Sequence, residues 1–563
     1  MNRSLLAAVA CVALGACSTA GGDKPAWKDF AQASVDKYFE LNPNFAVYQG
    51  AHQFDGKMPD WSAAGLKANI DFLHKLIDDA NAYEDLSEAD AFERAYLVQM
   101  AEGQLFWLED ADQPHHNPAF YTSAFDPNVY ISREYADKPT RMKAMIAFFE
   151  KVPTATANIR ANLQTPLAES LIDYGVSAFE GYAEFYRGDA REAFADVDDQ
   201  ALQDQYEEVS GKAADAMKEL ADWLKDQKAS ATQDFALGPE RFSRMLKATE
   251  AVDIPLDELS RVAREDLARN QAAARDACAE FAPGATIVAC FLKMNQNKPA
   301  NGPVATATAQ IPELTAFVRE HDLVTIPGTE QALVRESPPY NAQNSAYIDP
   351  PGPLEHGIPS IYYIAPPDPS WDAAMQAAYI PGKDDLLFTS VHEVMPGHFL
   401  QFLHSNRSAS LIGRLFVGYG FAEGWAHYTE EMMWDAGLGA GDPEVHIGQL
   451  ANALLRNCRF ISAIGLHTGG MTVAQSKDLF MKECHQDEGN AEQQAARGTY
   501  DPAYLNYTMN KLMIRKLRDD WTASRGGRDA WKEFHDRFLS FGGPPVPLVR
   551  QAMMGEDEPR AVF

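Results

Sequence analysis

Residues 389–401 read TSVHEVMPGHFLQ. The run is compatible with a helix until Pro396-Gly397, and no regular α-helix passes through that pair. Proline has no amide hydrogen to donate, and glycine accepts dihedrals closed to other residues. His392 and His398 are six positions apart. At about 100° per residue they would lie roughly 240° apart round an ideal helix, on different faces. Two imidazoles share one metal ion from a single helix when they stand at i and i+4. A bulge that loops out the equivalent of two residues at Pro396-Gly397 would put His398 where the second histidine of such a pair belongs. Glu393, directly after His392, is then placed as a base. Alternatively the Pro-Gly pair ends a helix and the two histidines are only polar neighbours. This stretch alone leaves both readings open.

The segment GYGFAEGWAHYTEE favours the first. Glu423 follows His398 by 25 residues and sits among Phe421, Trp425 and Tyr428. A carboxylate in such an apolar helix is costly to bury unless paired or bound to metal, which makes Glu423 the candidate third ligand. His427 and Glu430 follow on roughly the same face and are candidates for orienting a ligand. For His427 a solvated position is equally compatible. Glu431 and His404 read as surface residues.

Around these motifs the pattern is helical. From about 26 to 290, stretches such as ADAFERAYLVQMAEGQLFWLED space apolar residues three and four apart, and the pattern returns after 384. Between them, residues 336–369 are rich in proline and glycine and bracket two short runs, NSAYI and SIYYIA. These read as strands, or else as irregular loop. A strand edge just before the motif helix could bind an extended peptide through its main chain. There is no internal repeat, no βαβ alternation and no glycine-rich phosphate loop. The expected fold is mainly α, a large multi-helix array with a small β element beside the active-site helix. It occupies residues 26–563, with an N-terminal helical half to about 290 and a catalytic half over about 330–555.

The first residues, MNRSLLAAVACVALGACSTAGG, carry Arg3 and an apolar run over 5–16 that is too short to span a bilayer. The run ends in Leu14-Gly15-Ala16-Cys17, which resembles a bacterial lipobox. That resemblance implies a signal peptide over 1–16, lipidation of Cys17 and a tether over 17–25. Ser18 favours the periplasmic face of the outer membrane. A plain secretory signal is the alternative. Four further cysteines remain, an even number that an exported chain can oxidise. The local pairings Cys278–Cys290 and Cys458–Cys484 are favoured over four buried free thiols. The formal net charge of −31 makes nucleic acid a poor partner. Oligomeric state is not legible.

Taken together, HEVMPGHFLQ, FAEGWAHYTEE, IPSIYYIAPPD, YLNYTMNKLMIRKLR and FHDRFLSFGG resemble the domain-of-unknown-function family 885, over about 25–555. That family carries an HExxPGH signature and is similar to helical zinc peptidases of the angiotensin-converting-enzyme, thimet-oligopeptidase and carboxypeptidase-Taq kind. The resemblance implies His392, His398 and Glu423 as ligands of one zinc ion and Glu393 as general base. It places the tyrosine of the C-terminal helix on Tyr507 and a further family histidine on His467. This chain has Phe399 and Ala463 where the family often has a second histidine and an aspartate, so a core or surface role for His467 is equally open.

The expected activity is zinc-dependent hydrolysis of peptide bonds, in short peptides, in the cell envelope. Glu393 would take a proton from water and pass it to the leaving amine, and Tyr507, or Tyr504 one turn away, would donate to the oxyanion. Tyr340, Tyr362 and Tyr363 are candidates to line the cleft. The rivals are a non-catalytic binding or scaffolding lipoprotein and a zinc hydrolase of a non-peptide amide or ester.

Overall fold

Helix starts along the chain are set by short polar side chains. Ser62, Ser87, Asp137, Asp199 and Asp442 each accept a hydrogen bond from a first-turn amide. Thr472 and Gln475 form a reciprocal capping box. Pro153 and Pro239 sit in first turns, where no amide hydrogen is missed. The computed structural model describes residues 24–338 and 345–563. The apolar run 5–16, Cys17 and Tyr340 lie outside the described residues. The architecture is mainly α, as expected, with one three-stranded sheet. Among the described residues no helix is long and apolar enough to cross a membrane.

The sheet consists of β1 (Ala332–Glu336), β2 (Ala346–Asp349) and β3 (Ser360–Ile364), in the order β1-β3-β2. The two expected strands are β2 and β3, and β1 is an addition. β3 runs parallel to β1 and antiparallel to β2, with Tyr362 opposite Val334 and Ile348. All five residues of β3 are buried, as its unbroken apolar run requires. β3 is therefore the centre of the sheet, and the edges fall to β1 and β2. Strand alternation sends Tyr362 and Tyr363 to opposite faces.

The largest apolar core gathers residues from Phe106 to Met553 and surrounds the motif helices, with Val391, Leu400, Trp425, Met509 and Phe538 inside it. Two smaller cores lie around Phe149 and Tyr206, and around Trp27 and Leu97. Both favoured disulfides are present. Cys278–Cys290 has its α-carbons 5.8 Å apart, and Cys458–Cys484 has them 6.2 Å apart.

Four helices support the site: Leu256–Phe281, Tyr419–Asp435, Pro443–Thr468 and Asn506–Thr522. Gly424 lets two of them touch, since a Cβ there would stand 2.3 Å from the Cβ of Asn510. A buried ionic network joins the helices. Lys511, fully buried, lies 3.1 Å from Asp266 and 3.2 Å from Glu431. Arg269 and Arg515 also reach Glu431, each at 2.8 Å. The expectation of a surface position for Glu431 is therefore wrong. Burial pushes its carboxyl up, but Lys511, Arg269 and Arg515 outweigh this and hold it down at about 2. His404 is half-buried, with Nε2 2.8 Å from the Thr325 carbonyl.

Candidate metal centre

The helix Lys383–Glu393 stops directly after His392-Glu393, and a new helix, His398–Ser405, starts at the second histidine. The break lies at Pro396-Gly397, preceded by a cis Met395–Pro396 bond. There the chain folds back on itself: Gly397 donates to the Val391 carbonyl at 2.9 Å. A Cβ on Gly397 would lie 1.8 Å from the His392 carbonyl oxygen, so only glycine fits. Trp425 clamps the break from the neighbouring helix, its indole N–H donating to the Pro396 carbonyl at 2.9 Å. The detour takes up the unfavourable spacing. The rings of His392 and His398 come to 4.8 Å between centroids, at 88° to each other.

Glu423 closes the group. Its Oε2 lies 3.3 Å from Nε2 of His392 and 3.4 Å from Nε2 of His398. Ligand atoms about 2.1 Å from a shared tetrahedral zinc would be ~3.4 Å apart, so both spacings suit that ion. Glu423 Oε2 is buried and accepts no hydrogen bond. A buried carboxylate oxygen with no donor, facing two imidazole nitrogens, suits a cation. One ligand atom from each of His392, His398 and Glu423 lies within 4.8 Å of the others, and no other His, Cys, Asp or Glu among the described residues completes this group. Three protein ligands leave one position for water or substrate, the pattern of catalytic sites. Burial pushes the Glu423 carboxyl up, but His398 and His392 bring it well below the usual range.

Glu430 orients the first histidine. It is fully buried, and its Oε1 lies 2.7 Å from Nδ1 of His392. The carboxylate accepts the Nδ1 proton, which leaves Nε2 with a free lone pair on the ligand side. Burial alone would raise the Glu430 carboxyl, but Arg456, His427 and His392 hold it well below the usual range. His427 is also fully buried, so the solvated reading is excluded. Its Nδ1 is 3.4 Å from Glu430, and burial lowers its pKa to about 4. It adjoins Glu430 and not the ligand group.

The other candidates separate. The Tyr507 ring lies 6.3 Å from the His392 ring and nearly parallel to it. Burial and then Glu423 raise its pKa, so the phenol is a neutral donor at pH 7. Tyr504 is fully buried with its hydroxyl against Gly498, in the core. His467 is structural. Nε2 reaches the Gly498 carbonyl at 2.7 Å, and Nδ1 accepts from the Leu237 amide at 3.3 Å. Tyr362 is fully buried with its hydroxyl unpartnered, and its pKa rises through burial first and then through the charge of Glu393. Tyr363, on the opposite face, stacks on Tyr347 at 5.0 Å. Phe399 is core.

Sequence reasoning missed three arginines around Tyr507. The guanidiniums of Arg456, Arg459 and Arg497 stand 5.6, 4.8 and 5.9 Å from the ring centroid. Tyr419, also missed, packs edge-on against Tyr507 at 5.9 Å. The available signal was LLRNCRFIS, with Arg456 and Arg459 one turn apart in an apolar helix. The cost of burying charge applies to them as it does to Glu423.

A cavity of about 540 Å³ is lined by Ala422, the sequence neighbour of Glu423, and by none of the three ligands. It is bordered by Phe402, one turn after His398, and by Tyr419, one turn before Glu423. Tyr96, Trp107 and Phe416 line it, with Glu250 as a buried carboxyl. Neither Tyr362 nor Tyr363 is among its lining residues.

The family model for bacterial proteins of unknown function, DUF885, matches residues 43–553. The chain belongs to this family. Two solved structures share the fold of this DUF885 chain. One is described as a candidate lipoprotein of unknown function from Shewanella oneidensis. It is 24% identical, has a TM-score of 0.78, and covers 94% of this chain and 100% of its own. The other, a candidate lipoprotein from Colwellia psychrerythraea, is 16% identical with a TM-score of 0.79, covering 94% and 98%. An M32 carboxypeptidase from Deinococcus radiodurans R1 overlaps at a TM-score of 0.34 and 11% identity, covering 88% and 96%. That loose overlap carries no argument about fold or chemistry. Among curated proteins none matches.

Proposed function

We propose that this DUF885 chain is a zinc-dependent hydrolase of peptide bonds in short peptides, binding one zinc ion per chain through His392, His398 and Glu423. The observation that carries the reading is the convergence of those three side chains within 4.8 Å, with Glu393 directly after the first ligand. Zinc supplies Lewis acidity that activates water and polarises a carbonyl. The protein supplies the rest. Glu393 accepts the proton of the attacking water and returns it to the leaving amine, worth about 10²–10⁴-fold in rate. The Tyr507 phenol donates to the oxyanion. Glu430 keeps the Nδ1 proton on His392 and so holds its Nε2 toward the ligand group. The aromatic cavity that Tyr419 and Ala422 border takes an apolar part of the peptide.

In this reading the lipobox-like Leu14–Cys17 directs the protein to the bacterial cell envelope, with a lipid on Cys17 as its anchor. Ser18 favours the periplasmic face of the outer membrane. The description of both solved relatives as candidate lipoproteins supports an anchor. The test compares wild-type and Glu393→Gln protein for zinc content and for cleavage of a short-peptide library. The expected result is one zinc in each and turnover in wild type alone. Equal turnover in both refutes the mechanism.

A further inference from the structure

Six arginines among the described residues are buried, and five have their charge facing carboxylates or backbone carbonyls. Arg133 faces Asp349 and Glu355. Arg456 lies against Glu430, Arg518 against Asp519, and Arg550 against Asp520 and Glu556. Arg141 has no carboxylate but donates to three backbone carbonyls. Arg459 is the exception. Its Nε donates to Gln494 at 2.7 Å, and no carboxylate among the described residues lies within ion-pair distance of its guanidinium. The chain has 80 acidic residues, so the lack of a partner is not a lack of acids.

The place of this unmatched cation is informative. Arg459 is 8% exposed, and its guanidinium lies 4.8 Å from the Tyr507 ring. That ring in turn lies 6.3 Å from the ring of the ligand His392. Arg456 and Arg497 flank it and add positive potential, although each has its own acid, Glu430 and Asp501. Leaving a buried charge unpaired is costly, and an incoming anion would offset that cost. The terminal nitrogens of a guanidinium form a planar fork that matches a carboxylate through two hydrogen bonds.

We propose that Arg459, flanked by Arg456 and Arg497, binds a carboxylate of the substrate beside Tyr507, so the preferred substrates are short peptides with an acidic group close to the bond cleaved. This rests on the hydrolase reading and narrows its substrate class. The carboxylate is either the C-terminus of the peptide or an acidic side chain, and the test separates the two.

Three versions of one substrate peptide are compared on zinc-loaded protein: free C-terminal acid, C-terminal amide, and the amide with glutamate replacing a neutral residue near the cleaved bond. Each is assayed with wild type and with Arg459→Met. Wild type should cleave at least one acidic version with kcat/KM about 10–100-fold above the neutral amide, the scale of a charge-assisted hydrogen-bonded pair. Arg459→Met should lose that advantage, cleaving acidic and neutral versions with equal kcat/KM through a raised KM for the acidic ones, and retain its zinc. If the free acid alone gains, the C-terminus is the ligand. If the glutamate peptide alone gains, the side chain is. Equal cleavage of acidic and neutral versions by wild type overturns the proposal. So does an Arg459→Met variant that slows all three alike, since Arg459 then only supports Tyr507.

Calorimetry of the same peptides on zinc-loaded Glu393→Gln protein keeps this test separate from turnover. Tighter binding of an acidic version, abolished by adding Arg459→Met, supports the carboxylate site even if no peptide is cleaved and the hydrolase reading fails. Equal binding of all three overturns it.

Discussion

Trp425 donates its indole N–H to the carbonyl of Pro396 at 2.9 Å, and so ties the helix that carries Glu423 to the break between the two histidines. The bond sets the third ligand against the first two. Trp425→Phe keeps most of the ring but leaves a buried carbonyl without its donor, at a cost of about 1–3 kcal/mol. Its midpoint of denaturation should fall and its zinc affinity should drop, which denaturation curves and a competitive chelator titration will show. Unchanged affinity would mean that the break holds its shape without the clamp.

Gly397→Ala is a harsher test of the same break. A methyl group 1.8 Å from the His392 carbonyl cannot be absorbed by moving a side chain, because the obstacle is the backbone of a ligand residue. The expected result is destabilisation by about 3 kcal/mol or more, together with loss of stoichiometric zinc. Denaturant unfolding and metal analysis of the purified variant measure both.

Glu430 acts on the metal through His392. Glu430→Gln keeps the shape but removes the charge that fixes the Nδ1 proton, and loss of such an outer partner lowers metal affinity by about 10–100-fold. Chelator competition reads the change. The variant should keep its helix content, because Gln can still accept from the ring.

Glu250 gives a pH signature independent of the metal. Burial raises its carboxyl from 4.5 to about 8, against the pull of Asn510, Gly420 and Asn506. The folded state therefore keeps a proton that the unfolded chain releases above about 4.5. Between 4.5 and 8 the unfolded state binds fewer protons, so stability falls as pH rises through this window and levels off above it. The whole contribution is on the order of a few kcal/mol. Glu250→Gln should flatten the decline and be the more stable protein at pH 8, as thermal melts from pH 5 to 9 will show.

The helical class was legible because apolar spacing of three and four persists through most of the chain. The chemistry of Pro396-Gly397 was legible too, since the same two residues that break a helix allow it to be re-aimed. Other features needed the fold. Glu431 reads as a surface residue, yet Lys511 and Arg269 arrive from distant helices to bury it. β1 has Arg335 and Glu336 in a five-residue run, too polar and too short to declare itself until it pairs with β3. His467 and Tyr504 have the right residue types, but their partners on Leu237 and Gly498 place them in the core. The arginines around Tyr507 were visible only as charges in an apolar helix. Spacing gives their face, and only packing shows which ring they meet.

The central claim is that His392, His398 and Glu423 hold a metal ion with one position left for chemistry. Anomalous diffraction at the zinc edge, from crystals of the protein loaded with one equivalent of zinc, tests it directly. The account predicts a single peak about 2.0–2.2 Å from Nε2 of each histidine and from a Glu423 carboxylate oxygen, with no fourth protein ligand. No peak at that position, or a peak closed by a fourth protein side chain, would contradict it.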